Sequence, residues 1–127
     1  MEYTPYESIF SQPPDFEVTY QLYSAEAGGR KIAAYQGIRW NFMYDDFREG
    51  LYMIYPEIIN INTGELLEPN TPIPSLGKAM MYILNPKFRT LHKQRIKAGT
   101  RGYFMEGNTI VAVCEVTRIS GLYDNPM

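Results

Sequence analysis

The strongest constraint on this chain is an alternation of apolar and polar residues with a period of two. Between residues 16 and 23 the order Phe-Glu-Val-Thr-Tyr-Gln-Leu-Tyr puts Phe16, Val18, Tyr20 and Leu22 on one face and Glu17, Thr19 and Gln21 on the other. That is the mark of a strand buried on one side. The pattern returns near the C-terminus, where Ile110, Ala112, Cys114 and Val116 share a face. No segment keeps a 3.6-residue period over any length, and only residues 85–97 leave room for a turn or two of helix.

Turn signals divide the rest into further short strands. Gly28-Gly29 precedes a strand expected over residues 31–36, and an aromatic and β-branched run over 51–61 ends at Asn62-Thr63-Gly64. Pro69, Pro72 and Pro74 make an irregular loop. Residues 79–84, 100–106 and 109–119 read as strands, the last two joined by Gly107-Asn108 as a two-residue hairpin connection. Residues 1–14, with Pro5, Pro13 and Pro14, read as an N-terminal arm without regular structure. Short, closely spaced strands point to an all-β antiparallel sandwich or barrel over residues 15–122, with 123–127 as a tail. The barrel is the preferred reading.

With 127 residues, 45% hydrophobic and 20% charged, the chain suits one domain able to bury about two-thirds of its unfolded surface without disulfide or metal. The lone Cys114 has no internal disulfide partner, and a one-thiol chain fits a reducing compartment. The acidic start lacks the basic region of a signal peptide, and no apolar run approaches the roughly 20 residues that span a bilayer. The expectation is a soluble, cytoplasmic protein with no membrane partner.

Gly28-Gly29-Arg30-Lys31, followed by Ile38-Arg39-Trp40-Asn41-Phe42, resembles the third, C-terminal β-barrel domain of elongation factor Tu. That family has Gly-Gly-Arg, a short strand and then Tyr-Arg-Pro-Gln-Phe, with the same spacing between the arginines. Its closing pattern of a glycine, Leu-Arg-Phe, Glu-Gly and a last apolar strand is similar to Gly99, Arg101, Glu106-Gly107 and residues 111–119. The resemblance covers roughly residues 15–120, and residues 44–76 depart from it. It implies a six-stranded antiparallel closed barrel, here with an N-terminal arm and an extended central hairpin.

In that family the third domain contacts the T stem of transfer RNA. Carried over by position, the contacting residues are Arg30, Lys31, Asn41, Glu106 and Gly107, while Met105 and Thr109 stand where the family has arginines. The family's GTPase is a different domain. Here Leu76-Gly77-Lys78-Ala79 resembles only the end of a phosphate loop, with Pro72 in place of the first glycine and Ala79 in place of the magnesium-binding hydroxyl. No nucleotide and no other cofactor is expected.

Charge is distributed unevenly. Lys87, Arg89, Lys93, Arg95, Lys97 and Arg101 occur within 15 positions without an acid, so a +6 segment lies between flanks of −6 and −2. Such a ridge attracts phosphates or an acidic surface; the plainer alternative is a solvated loop. His92 has no acidic neighbour within ten residues to orient it as a base, and a lone histidine does not make a zinc site with Cys114. Cys114 reads as a small apolar filler, and Asp45-Asp46, with Glu49, as solvated turn residues rather than metal ligands.

The expected function is therefore non-catalytic: a binding module for structured RNA, transfer RNA included, or for an acidic protein, in a translation-related setting. Its contacts would come from Arg30, Lys31, Asn41, Lys93, Arg95, Arg101, Glu106 and Gly107. A second expectation is a protein-interaction or immunity-type partner with no RNA. Tyr52, Met53, Ile54 and Tyr55 alternate faces, so one pair should point away from the core and be available to a partner, unless the Pro-rich segments cover it.

Overall fold

In the computed structural model, which describes residues 3–126, strand β1 (Phe16–Leu22) sits inside a sheet rather than at its edge. It pairs antiparallel with β5 (Leu76–Ile83) on one side and β7 (Thr109–Ile119) on the other. Its alternation is realised directly: Phe16, Val18 and Tyr20 are buried while Thr19 and Gln21 are exposed. Beyond β7 come β6 (Arg101–Glu106), β2 (Asn41–Tyr44) and β3 (Phe47–Tyr52), and beyond β5 comes β4 (Ile54–Ile59). Each neighbouring pair in this curled sheet is antiparallel.

The sheet therefore differs from the expected closed six-stranded barrel. It has seven strands in the order β3-β2-β6-β7-β1-β5-β4, and among the described residues no ladder joins β3 to β4. These two edge strands follow one another in the chain, separated by Met53 alone. Residues 44–76 hold the Tyr44–Phe47 hairpin, β4, a turn at Gly64 and the Pro-rich loop, rather than one extended hairpin.

Residues 31–36 are irregular, not a strand, and the carbonyls of Ile32, Ala33 and Ala34 are taken by the Arg30 side chain and by the Pro-rich loop instead of a neighbouring strand. Arg30 Nη1 donates to the carbonyls of Ile32 (2.6 Å) and Ala33 (2.8 Å), and the Ala34 carbonyl accepts from Ile73 N. Buried Gln36 turns toward edge strand β4: its Oε1 accepts from Ile58 N and its Nε2 donates to Ile58 O, both at 2.8 Å. An amide side chain thus mimics a strand partner and caps an edge that would otherwise invite pairing.

The main core lies inside the curl and is rich in rings: Phe16, Trp40, Phe42, Tyr44 and Phe104 are all at most 1% exposed. Gly102 is required there, since a Cβ would run into the Phe42 ring and the Met43 carbonyl. Gly107, with φ +59, supplies the left-handed position of the tight β6–β7 connection, where Glu106 pairs with Thr109.

The described part of the arm, residues 3–14, contains regular structure, contrary to expectation. Helix α1 (Tyr6–Phe10) starts after Pro5, a position at which the missing N–H costs nothing. Tyr6 packs with Tyr55 and Tyr82 in a second apolar cluster that also takes in Phe10, Met80 and Leu84. Beneath the arm lies buried Glu57, whose carboxylate accepts from the Tyr3 hydroxyl and, at 2.9 Å, from Tyr6 N. The C-terminal tail is also tied down: buried Asn125 donates to the Pro13 carbonyl and to Asp15, both at 2.9 Å. No helix among the described residues is long and apolar enough to cross a membrane.

Candidate nucleic-acid interface

The segment expected as a basic ridge folds into a 3₁₀ turn, Pro86–Phe88, and helix α2 (Arg89–Arg95). Asn85 starts it: its side chain accepts from Lys87 N at 3.1 Å, and Pro86 follows with a pre-set φ. Winding the segment into a helix sorts its cations by face.

Arg89 turns inward. Its Nη1 donates to Asp15 Oδ1 at 2.8 Å and to the Leu122 carbonyl at 3.0 Å, and neither charged side chain is more than 7% exposed. Asp15 is satisfied further by Ile83 N on Oδ2. Arg89 therefore joins β1, β5, α2 and the tail, and belongs to the fold rather than to a surface. His92 is buried as well, sharing a 2.6 Å hydrogen bond between its Nδ1 and the Tyr44 hydroxyl and meeting the Tyr52 ring edge-on. Burial, reinforced by the nearby Arg89 charge, holds its pKa down at about 4, so the ring is neutral near pH 7.

Arg95 is half-buried. Its guanidinium lies over Phe47 at 4.5 Å and Tyr44 at 5.5 Å and faces Asp46 at 3.5 Å. Lys87, Lys93, Lys97 and Arg101 form no ion pair among the described residues. Lys87, Lys97 and Arg101 are exposed and Lys93 is partly so. What remains of the ridge is a cationic corner where the end of α2 meets the start of β6.

The other expected contact residues gather at the opposite end of β6. Arg30 Nε donates to Glu106 Oε1 at 2.7 Å, and Trp40 Nε1 donates to the same oxygen at 3.1 Å. Partial burial works to raise the Glu106 carboxyl, but the bonds from Arg30 and Trp40 and the Arg30 charge outweigh it and hold the pKa below the ordinary value. Asn41 pairs with Met105, and exposed Lys31 and Gly107 flank this end. Arg101 and Glu106 bound a six-residue strand, so the two groups lie about 17 Å apart along it. Each group is assembled by the fold, but they do not merge.

The Tyr52–Tyr55 segment presents no exposed pair, and the Pro-rich arm covers its Tyr55. Tyr52 and Ile54 belong to the main core, Tyr55 lies in the cluster covered by the arm, and only Met53 is exposed. Cys114 is buried, and burial pushes its thiol pKa up, which suits an inert filler. Asp45 is held by the Tyr103 hydroxyl at 2.6 Å and Arg48 Nη2 at 2.8 Å, which lower its pKa in that order. Among the described residues no three His, Cys, Asp or Glu side chains are grouped to hold a metal ion. Asp46, read in the sequence as a solvated turn residue, approaches Arg95 from the β2–β3 turn across to the end of α2, a pairing that leaves no trace in local spacing. No protein-family model matches the sequence, and no curated protein matches it.

Proposed function

We propose that the protein is a non-catalytic binding module for structured RNA, engaging the phosphate backbone through the corner formed by Lys93, Lys97 and Arg101. The observation that carries this reading is that Lys97 and Arg101 line one depression and, like Lys93, have no ion-pair partner among the described residues. Unpaired, solvent-facing charge gathered at one corner attracts polyanions and releases counterions when phosphates replace them. A protein-interaction or immunity-type partner held by the Tyr52–Tyr55 face is the weaker reading, because that face is largely covered.

The resemblance to the elongation factor Tu barrel domain supports a translation-related setting and a cytoplasmic location. In the same reading β3 and β4 correspond to one bent strand, which brings the count to the six strands of that barrel. The test is retention of a transfer-RNA pool at low salt, followed by fluorescence anisotropy over a salt series. Binding that weakens with salt is expected, and absence of any shift at low salt refutes the proposal.

A further inference from the structure

Beside the cationic corner lies a depression of about 380 Å³ between the turn at Asp45-Asp46 and the loop leading into β6. Arg95, Lys97 and Arg101 line it together with Thr100. Asp45 is already occupied by Tyr103 and Arg48. Asp46 is not: its side chain is 80% exposed and its only ion-pair contact is Arg95 at 3.5 Å. That is well outside the roughly 2.7–2.9 Å of a good charge-assisted hydrogen bond. Arg95 is meanwhile fixed by stacking on Phe47, so its position does not depend on Asp46.

We infer that this depression is a phosphate seat in which a phosphate oxyanion displaces Asp46 from Arg95 and is held jointly by Arg95, Lys97 and Arg101. A carboxylate at the rim meets one cation, whereas a phosphate lying in the depression faces three. Recognition falls mainly to side chains, because three of the loop's N–H groups are engaged: Lys97 N donates to Thr100 Oγ1, Gly99 N to the Val116 carbonyl and Thr100 N to the Lys97 carbonyl. Asp46 thereby acts as a built-in competitor that sets the affinity threshold.

The phosphate can belong to an RNA backbone, in which case the inference rests on the reading above, or to a free anion, and two probes separate these sources. With a transfer-RNA pool, Asp46→Asn should tighten binding about three- to tenfold by removing the competing charge. Lys97→Ala and Arg101→Ala should each weaken it and lower the salt slope by nearly one unit. Lys78→Ala, an exposed cation on β5, should change neither. If wild-type protein binds RNA but Asp46→Asn leaves the affinity unchanged, the seat is refuted while the RNA reading stands.

If wild-type protein binds no RNA, that reading fails and inorganic pyrophosphate decides the seat alone. Saturable amide NMR shifts at Gly99 and Thr100, enlarged in Asp46→Asn and lost in Arg101→Ala, support it. Their absence overturns it. All four positions carry exposed side chains, and matching amide spectra establish that each variant is folded.

Discussion

Arg30 and Glu106, expected to face the same RNA, face each other: the guanidinium donates to the carboxylate at 2.7 Å while also holding two carbonyls of its own loop. The charge that would meet a phosphate is used to fix residues 30–33 over Trp40. Arg30→Ala should therefore leave the salt slope of RNA binding unchanged, whereas Arg101→Ala lowers it by about 0.7–0.9. The pair is part-exposed, 29% and 45% for its side chains, so its loss should cost no more than about 1 kcal/mol. Anisotropy titrations at several salt concentrations, paired with urea melts, check both.

Arg89 and Asp15 should behave in the opposite way. Arg89→Ala strands a carboxylate that is wholly buried, a change that costs about 3–5 kcal/mol. Replacing both partners by neutral groups of similar shape, Asp15→Asn with Arg89→Met, should be less destabilising than the sum of the single changes, because no buried charge is left unpaired. Equilibrium urea unfolding of the four proteins in the cycle measures this directly; purely additive costs would show that the charges do not interact.

The difference between these two arginines shows where sequence reading stops. The alternation in β1 and β7, the Gly107-Asn108 connection and the short helix after Asn85-Pro86 were legible because each depends on neighbours a few residues away. The fate of each basic residue was not. Arg89 turns inward because Asp15, 74 positions distant in sequence, waits beneath it. Arg95 is drawn partly inward by the Phe47 and Tyr44 rings of the β2–β3 hairpin. Helix α1 was missed for a related reason: its prolines looked like breakers, and its Tyr6 and Phe10 make sense only against Tyr82.

His92 should make stability fall in mild acid. An unfolded histidine titrates near 6.5, while burial and then the Arg89 charge hold the native one down at about 4, against the opposing pull of Asp15. Arg95 adds to the lowering, and Tyr44 and Tyr52 supply the rings around it. Between those two values the unfolded chain takes up a proton that the native state refuses. The stabilisation is fully present above about pH 6.5 and is lost as pH drops toward 4, a range worth roughly 3 kcal/mol. Urea midpoints at pH 7.5, 5.5 and 4.5 should fall steeply for the wild type and less so for His92→Phe.

The arm should be a stabilising cover that can be removed without unfolding the sheet. Its aromatic cluster of Tyr6, Tyr55 and Tyr82 is separate from the main core. Tyr6→Ala removes a buried ring that packs edge-on against Tyr82 at 5.2 Å, a loss of about 2–3 kcal/mol. Glu57→Ala removes the shared acceptor of the Tyr3 hydroxyl and Tyr6 N and should cost about 1–3 kcal/mol for the groups left unpaired. Both changes loosen the same segment, so the double variant should lose less than the sum. Deleting residues 1–12 should lower the melting temperature, uncover Tyr55 and Tyr82 to a hydrophobic dye and retain a β-type circular dichroism spectrum. Loss of that spectrum would show instead that the sheet cannot hold its curl without the arm.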